Sequence, residues 1–370
     1  MRREYKKFFY EQIKKGNALI VPRVAWQYLG TIIGRMMGRP IVGPMNGCVV
    51  VTYACNLKCK MCNLNERMKT GKKQLTTDEV KKVLDDFAAI GTLGIGLTGG
   101  EPILRPDILD IIKYTKEKGM IAHMSSNGFR MTKDNVKKIL DAGLDAISFS
   151  LDGASAKTHD KVSGVKGSFD AALEGIRNFS ELKQKNKKYK YFTIVVTCSI
   201  NRYNIHEVLD IVKVARKNSA DYVSFIPFHD IGGLTDNIET MKELKIRDDN
   251  MDELDALIKK LVELRKKTNY IDTSINYLKL FSYCFRGKPL PITCYAGYVS
   301  LVIGAFGEIY PCFSFMEAKK DFSNIREISL KDYWKSKNFN LKRKKIRNCR
   351  RCYWNNQTET SLLFNFRRIK

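Results

Sequence analysis

From residue 47 onward the chain repeats one pattern, a short apolar run of strand type followed by a helical stretch, and this repetition restricts the fold more than any other feature. Strands are expected at 48–53, 94–98, 121–125, 146–151, 191–200 and 222–227. Helices are expected to open at Thr76 and to cover 106–118, 132–142, 169–182, 205–217 and 251–266. Thr76 and Glu79 stand at capping-box spacing, which gives the first helix a defined start. Six such units joined by right-handed crossovers make an α/β fold, either a doubly wound sheet or a barrel. Six rather than eight units point to a partial (β/α)6 TIM-like barrel. In both arrangements the ligand site lies at the C-terminal ends of the strands.

The polar motifs sit at such ends. Beyond the first strand come Cys55, Cys59 and Cys62, spaced C-x3-C-x2-C. Three thiolates there can hold an iron–sulfur cluster, and a four-iron cluster with three protein ligands leaves one iron open to a small-molecule chelator. Spacing alone also allows a zinc knuckle or unrelated buried cysteines. The second strand ends in Thr98-Gly99-Gly100-Glu101-Pro102. Its glycines let backbone approach a ligand closely, and Glu101 offers a carboxylate to a cationic group such as an ammonium. An ordinary tight turn is the plainer reading.

Together these two motifs resemble the radical S-adenosylmethionine (SAM) superfamily over residues 47–230. The resemblance implies a [4Fe–4S] cluster on Cys55, Cys59 and Cys62, with SAM chelating the unique iron and Gly99, Gly100 and Glu101 holding its amino group. Ser125-Ser126-Asn127-Gly128 is similar to the family's turn after the third strand, which nominates Ser126 and Asn127 for SAM. Ser148–Gly153 likewise nominates Ser150 and Asp152. Asn201 is a further candidate, although asparagine at a strand exit also serves as a turn residue. Met61 departs from the family, which commonly has an aromatic residue there. The implied activity is reductive cleavage of SAM to a 5′-deoxyadenosyl radical that abstracts hydrogen from a substrate C–H bond. A one-electron reductant such as flavodoxin or ferredoxin is then required.

A composition change near residue 285 separates 46–285 from 286–370. In the latter, Val299–Ile303 and Glu308–Pro311 flank Gly304-Ala305-Phe306-Gly307 as a hairpin. Cys294, Cys312, Cys349 and Cys352 resemble the opening of a SPASM auxiliary-cluster domain, in the shortened twitch form of the 2-deoxy-scyllo-inosamine dehydrogenase type. That resemblance implies one auxiliary [4Fe–4S] cluster; a structural zinc would use the same ligands. Cys48 and Cys198 read as packing residues. His123, His159, His206 and His229 show no ligand spacing, and Arg202, Tyr203 and Arg286 are open as substrate contacts.

The 65 basic against 39 acidic residues give a net charge of +26, which favours anionic partners. Residues 1–45 are basic and apolar together, with Pro22 separating two helical stretches, and could lie on a membrane surface. No apolar run is long enough to span a bilayer, and clustered cysteines without a secretion signal point to the cytoplasm, with contact at the inner membrane face. The expected substrate is a lipid-linked or sugar-like metabolite, because residues 1–45 are marginal as a peptide-recognition domain. Ribosomal-peptide or protein maturation is the alternative within the superfamily. From a different class, a zinc-bearing nucleic-acid-binding protein would use Cys349-Arg350-Arg351-Cys352 as a knuckle, though nucleic acid is not the expected partner.

Overall fold

The computed structural model describes residues 20–228, 242–316, 323–350, 354–365 and 369. Six parallel strands run through the centre: β1 (Asn46–Thr52), β2 (Gly94–Gly99), β3 (Ile121–Ser126), β4 (Ala146–Ser150), β5 (Thr193–Ile200) and β6 (Tyr222–Pro227). Each pairs with the next in sequence. A doubly wound sheet reverses its strand order among such units, whereas β1 to β6 follow one another without reversal. The winding is therefore that of a barrel, left open because β1 pairs with other strands than β6. On its second edge β1 takes β7 (Ser300–Ile303) in parallel register, and β8 (Ile309–Tyr310) returns antiparallel. The expected C-terminal hairpin thus exists and extends the main sheet.

Side chains alternate across this sheet. Ile95, Leu97, Met124, Ile147, Phe149, Val196 and Phe225 join one core with residues of the covering helices, among them Leu84, Phe87, Ile111, Ile139 and Ile176. Their neighbours Thr98, His123, Ser125, Ser148, Thr197 and Ser199 take the opposite face and are half-buried. Parallel strands usually carry apolar residues on both faces, so a polar inner face is one kept for a ligand.

The helices are α1 (Ile20–Met37), α2 (Leu64–Met68), α3 (Thr77–Ala89), α4 (Ile108–Glu117), α5 (Lys133–Asp141), α6 (Ala156–Ser163), α7 (Ser168–Lys185), α8 (Val208–Lys217), α9 (Met251–Lys267), α10 (Ile275–Phe285), α11 (Leu330–Lys335), α12 (Lys337–Ile346) and α13 (Asn355–Leu362). Pro22 falls in the first turn of α1, where its missing N–H costs nothing; the stretch ahead of residue 20 lies outside the described residues. Helices α2, α6, α10 and the three after β8 have no counterpart among the helices the sequence predicts. Among the described residues no helix is long and apolar enough to cross a membrane.

The capping box at the start of α3 forms as the sequence predicts. Glu79 N–H donates to Thr76 Oγ1 (3.2 Å), and Thr76 N–H donates to Glu79 Oε2 (2.8 Å). Arg326, from the C-terminal part, adds two charge-assisted bonds to the same carboxylate (2.6 and 3.0 Å). Arg326 pulls the Glu79 carboxyl down from 4.5 to about 2. The stabilisation it provides is complete above pH 4.5 and is lost as pH falls toward 2. Glu79→Gln should cost roughly 1 kcal/mol at pH 7. In urea titrations the gap from wild type should narrow steadily below pH 4.5.

Candidate active site at the strand ends

The pairing of β1 with β2 continues past both strands. Gly100 N–H donates to Thr52 O (2.9 Å), and Glu101 N–H donates to Ala54 O (2.8 Å). At this separation a Cβ on Gly99 would lie 2.0 Å from Thr52 O, and one on Gly100 would lie 2.1 Å from Ala54 O. The room left by the two missing side chains is filled by the backbone that leads into the cysteine loop. Gly99 also has φ +140°, which disfavours a side chain.

On its other side the loop hangs on α6. Lys58 N–H donates to Ser163 O (3.1 Å) and Lys60 N–H to Val162 O (2.8 Å). Gly164 caps α6 in the left-handed conformation, and a Cβ there would meet Lys58 O at 2.3 Å. Cys62 N–H closes a turn onto Cys59 O (3.0 Å). The structure therefore brings Cys55, Cys59 and Cys62 together. Burial raises all three thiols, Cys62 to about 11, and Cys59 is raised further by Cys62, Asp152 and Cys55. Two N–H groups address Cys55 Sγ, from Leu57 (3.4 Å) and from Asn127 Nδ2 (3.9 Å). Three clustered sulfur donors with N–H groups to stabilise a thiolate fit an iron–sulfur cluster. Met61 is half-buried against the main core.

Glu101 is 1% exposed. Its carboxylate accepts from Asn127 N–H (2.7 Å), Ser126 Oγ (3.1 Å) and Ile103 N–H (3.4 Å). Burial nevertheless raises it from 4.5 to about 7, against the pull of these donors. Ser126 and Asn127 thus hold the carboxylate, and Asn127 also donates to Asn56 Oδ1 in the loop (2.8 Å). Asp152 follows β4, accepts from Ser199 N–H (2.7 Å) and is raised by burial to about 7. Ser150 is exposed at the end of β4, in register with Thr197.

Asn201 is fully buried and committed to its own turn. Its Nδ2 donates to Ser199 O (2.9 Å) and its Oδ1 accepts from Tyr203 N–H (2.9 Å), so the turn reading describes it. Asn204, not nominated from the sequence, does the bridging: its Nδ2 donates to Ser199 O (2.9 Å) and Asp152 O (3.1 Å). His159 accepts from Asp152 N–H through Nδ1 (2.9 Å), and burial lowers it to about 4, keeping it neutral. His123 lies on the inner face, its Nε2 3.0 Å from Ser148 Oγ. A polar residue at every second position of an apolar strand was the signal for it. Arg202 pairs with Asp249, Arg286 with Asp255, and Tyr203 bonds Glu243. His229 lies outside the described residues.

Cys294 and Cys312 share one buried apolar cluster with Ala296 and Ile346, and half-buried Cys349 packs against it. Cys312 follows β8 and Cys349 follows α12, while Cys352 lies outside the described residues. Two buried sulfurs and the half-buried Cys349 in an apolar setting are donors of the type an iron–sulfur cluster takes. Cys198 is packed in the main core, and Cys48 packs against the apolar cluster that holds Val50 and Tyr53.

Two substitutions probe this construction. Gly100→Ala should destabilise by roughly 1–3 kcal/mol and lower iron uptake on reconstitution, because the loop must move to admit the methyl group. Ionisation of Glu101 costs the metal-free fold stability as pH rises from 4.5 through about 7. The full cost is on the order of 3 kcal/mol. Glu101→Gln should therefore melt above wild type at pH 8 but not at pH 5 in scanning calorimetry.

Known proteins share both halves. The family model of the radical SAM superfamily matches residues 49–215, and that of SPASM, an iron–sulfur cluster-binding domain, matches residues 294–353. AdoMet-dependent heme synthase from Nitratidesulfovibrio vulgaris is 25% identical over 308 residues, covering 78% of each chain. PqqA peptide cyclase from Rhizobium meliloti is 26% identical over 305 residues, 80% of this chain and 75% of its own. Streptococcus suis SuiB bound to precursor peptide SuiA has the same fold, with TM-score 0.65 at 16% identity over 90% of this chain and 78% of that one. A [4Fe–4S] cluster, SAM and auxiliary iron–sulfur binding follow from these matches. They favour the enzyme over the zinc-bearing nucleic-acid-binding reading. Both models fall on the segments that carry the cysteines, so the chain carries a radical SAM domain at residues 49–215 and a SPASM domain at residues 294–353.

Proposed function

We propose that this radical SAM enzyme modifies a ribosomally made peptide or a protein side chain by hydrogen abstraction from a C–H bond. The relative named as a peptide cyclase supports peptide maturation in place of the lipid-linked or sugar-like metabolite expected from the sequence. The observation that carries the peptide reading is the inner face of the sheet: β1 to β8 contain no charged residue, and hydroxyls and the His123 imidazole line the face opposite the helices. Such groups match peptide N–H and C=O without burying an unpaired charge, whereas tetrapyrrole carboxylates call for cations. A tetrapyrrole is the second reading, favoured by the 78% coverage shared with the heme synthase.

In this reading Cys55, Cys59 and Cys62 hold the catalytic cluster, and Cys294, Cys312, Cys349 and Cys352 hold the auxiliary one. Residues 46–285 form the barrel and 286–370 the auxiliary domain. The cluster and SAM together supply one-electron cleavage of a sulfonium and hence a carbon radical. Glu101 receives the ammonium of SAM, with Ser126 and Asn127 fixing the carboxylate in place. Gly99 and Gly100 set its height above the loop. Asp152 and Ser150 face the remaining polar part of the same ligand. The inner face positions the substrate, and the apolar layer formed by Val50, Tyr53 and Val302 keeps water from the loop. Exposed Lys58, Lys161 and Lys166 around the loop give an acidic electron donor a basic approach.

Anaerobic reconstitution should load about eight irons per chain. Dithionite should then release 5′-deoxyadenosine; Cys59→Ala should abolish this, while Cys312→Ala should keep it and lose substrate turnover. A cationic ligand needs ionised Glu101, so SAM affinity should fall as pH drops below about 7, and Glu101→Gln should lose both the affinity and its pH dependence. For the substrate, holoenzyme is incubated with the peptide fraction of the source cells. A Cys59-dependent mass change in one peptide is expected; stimulation of SAM cleavage by the tetrapyrrole fraction alone would replace the peptide reading.

A further inference from the structure

Helix α1 meets the body of the protein with a mixed side, on which Gln27, Thr31 and Arg35 are buried beside Val24, Tyr28 and Ile32. Gln27 Nε2 donates to Gly43 O (2.9 Å) and Gly91 O (3.3 Å). Gly30 and Gly34 let the helix approach so near that added Cβ atoms would meet Val42 Cγ1 at 2.4 Å and Arg39 O at 2.9 Å. Arg35 is buried, its guanidinium carbon 4.7 Å from the centre of the Tyr295 ring. Tyr28 stacks on Phe364 at 4.7 Å and donates to Leu363 O (2.8 Å). These contacts fix the rotation of the helix.

The side turned outward is apolar. Trp26, Leu29, Ile33 and Met36 follow helical spacing and are 56%, 54%, 42% and 74% exposed. Of the nine large apolar side chains exposed among the described residues, seven lie between Val21 and Ile41. An ordinary surface helix would turn this face inward, so the stripe is a contact surface. Charge selects its partner. No Asp or Glu occurs from Gln12 to Asn65, and exposed Arg23 and Arg39 flank the stripe. A tryptophan-bearing apolar face rimmed by arginine and free of acids suits a layer with anionic headgroups over acyl chains.

We propose that the Trp26–Met36 face of α1 is a docking surface for an anionic lipid bilayer, on which the helix lies in the plane of the headgroups. The inference does not depend on the substrate reading. It leaves the strand ends, on other elements, in charge of the chemistry.

The test is flotation of reconstituted full-length enzyme with phosphatidylcholine vesicles, with and without phosphatidylglycerol. Wild type should float with the anionic vesicles and be released by high salt. The quadruple variant Trp26→Ser, Leu29→Ser, Ile33→Ser, Met36→Ser should float roughly tenfold less while cleaving SAM at the wild-type rate. The pair Arg23→Glu, Arg39→Glu should also reduce flotation. Failure of wild type to float, equal flotation of the quadruple variant, or equal binding to neutral vesicles would overturn the proposal. So would a wild-type dimer that the quadruple variant converts to monomer, since a second copy would then cover the stripe. If the quadruple variant loses SAM cleavage through misfolding, brominated acyl chains decide. Quenching of wild-type fluorescence that is lost in Trp26→Phe supports docking, and equal fluorescence with plain and brominated lipid overturns it.

Discussion

The strand ends are organised by two backbone hydrogen bonds, from Gly100 to Thr52 and from Glu101 to Ala54. They carry the register of the β1–β2 ladder into a region without strand structure, where a loop would otherwise choose its own path. Residues 99 and 100 must lack side chains for the bonds to form, so the glycines are a packing requirement before they are anything else. Once formed, the bonds place Glu101 relative to the cysteine loop with the accuracy of a sheet. Ser126 and Asn127 then tie the carboxylate to β3, and Asn127 returns to Asn56 and Cys55. Cysteines and carboxylate become one unit, held before any ligand arrives.

Burial works against every negative charge in that unit. Glu101 and Asp152 are both raised to about 7, and the three thiols are raised as well. A site that disfavours its own ionisation gains from each positive charge it takes up, whether iron on the sulfurs or an ammonium on the carboxylate. Loading and stability are therefore linked, and the neutral inner face beyond adds no competing charge.

The six parallel strands could be read from the sequence because each sends large apolar residues to the helices, and the start of α3 could be read from Thr76 and Glu79. The side chains that converge at the strand ends were likewise nominated, since motifs at successive strand exits of a barrel share one rim. Three things escaped. Helix α6 is a short stretch between β4 and the longer α7, and its contact with the loop runs through backbone carbonyls that no side-chain pattern announces. The link from Asn204 to Asp152 has no spacing to announce it, while Asn201, a candidate by its place at a strand exit, uses its amide in the turn it begins. The inner face hid behind apolar runs: His123, Ser148 and Thr197 look like interruptions until alternation assigns them to one side.

The pairing of β7 with β1 gives the C-terminal part a meaning beyond an added cluster. The strand that ends at the first cysteine loop and the hairpin that leads to Cys312 belong to one hydrogen-bonded ladder. The two sulfur-rich centres are therefore spaced by a shared lattice rather than by a tether. A shortened chain ending before residue 286 would not be a simpler catalyst: it would present β1 as a bare, apolar edge beside its most reactive loop, open to the nearest strand of another molecule.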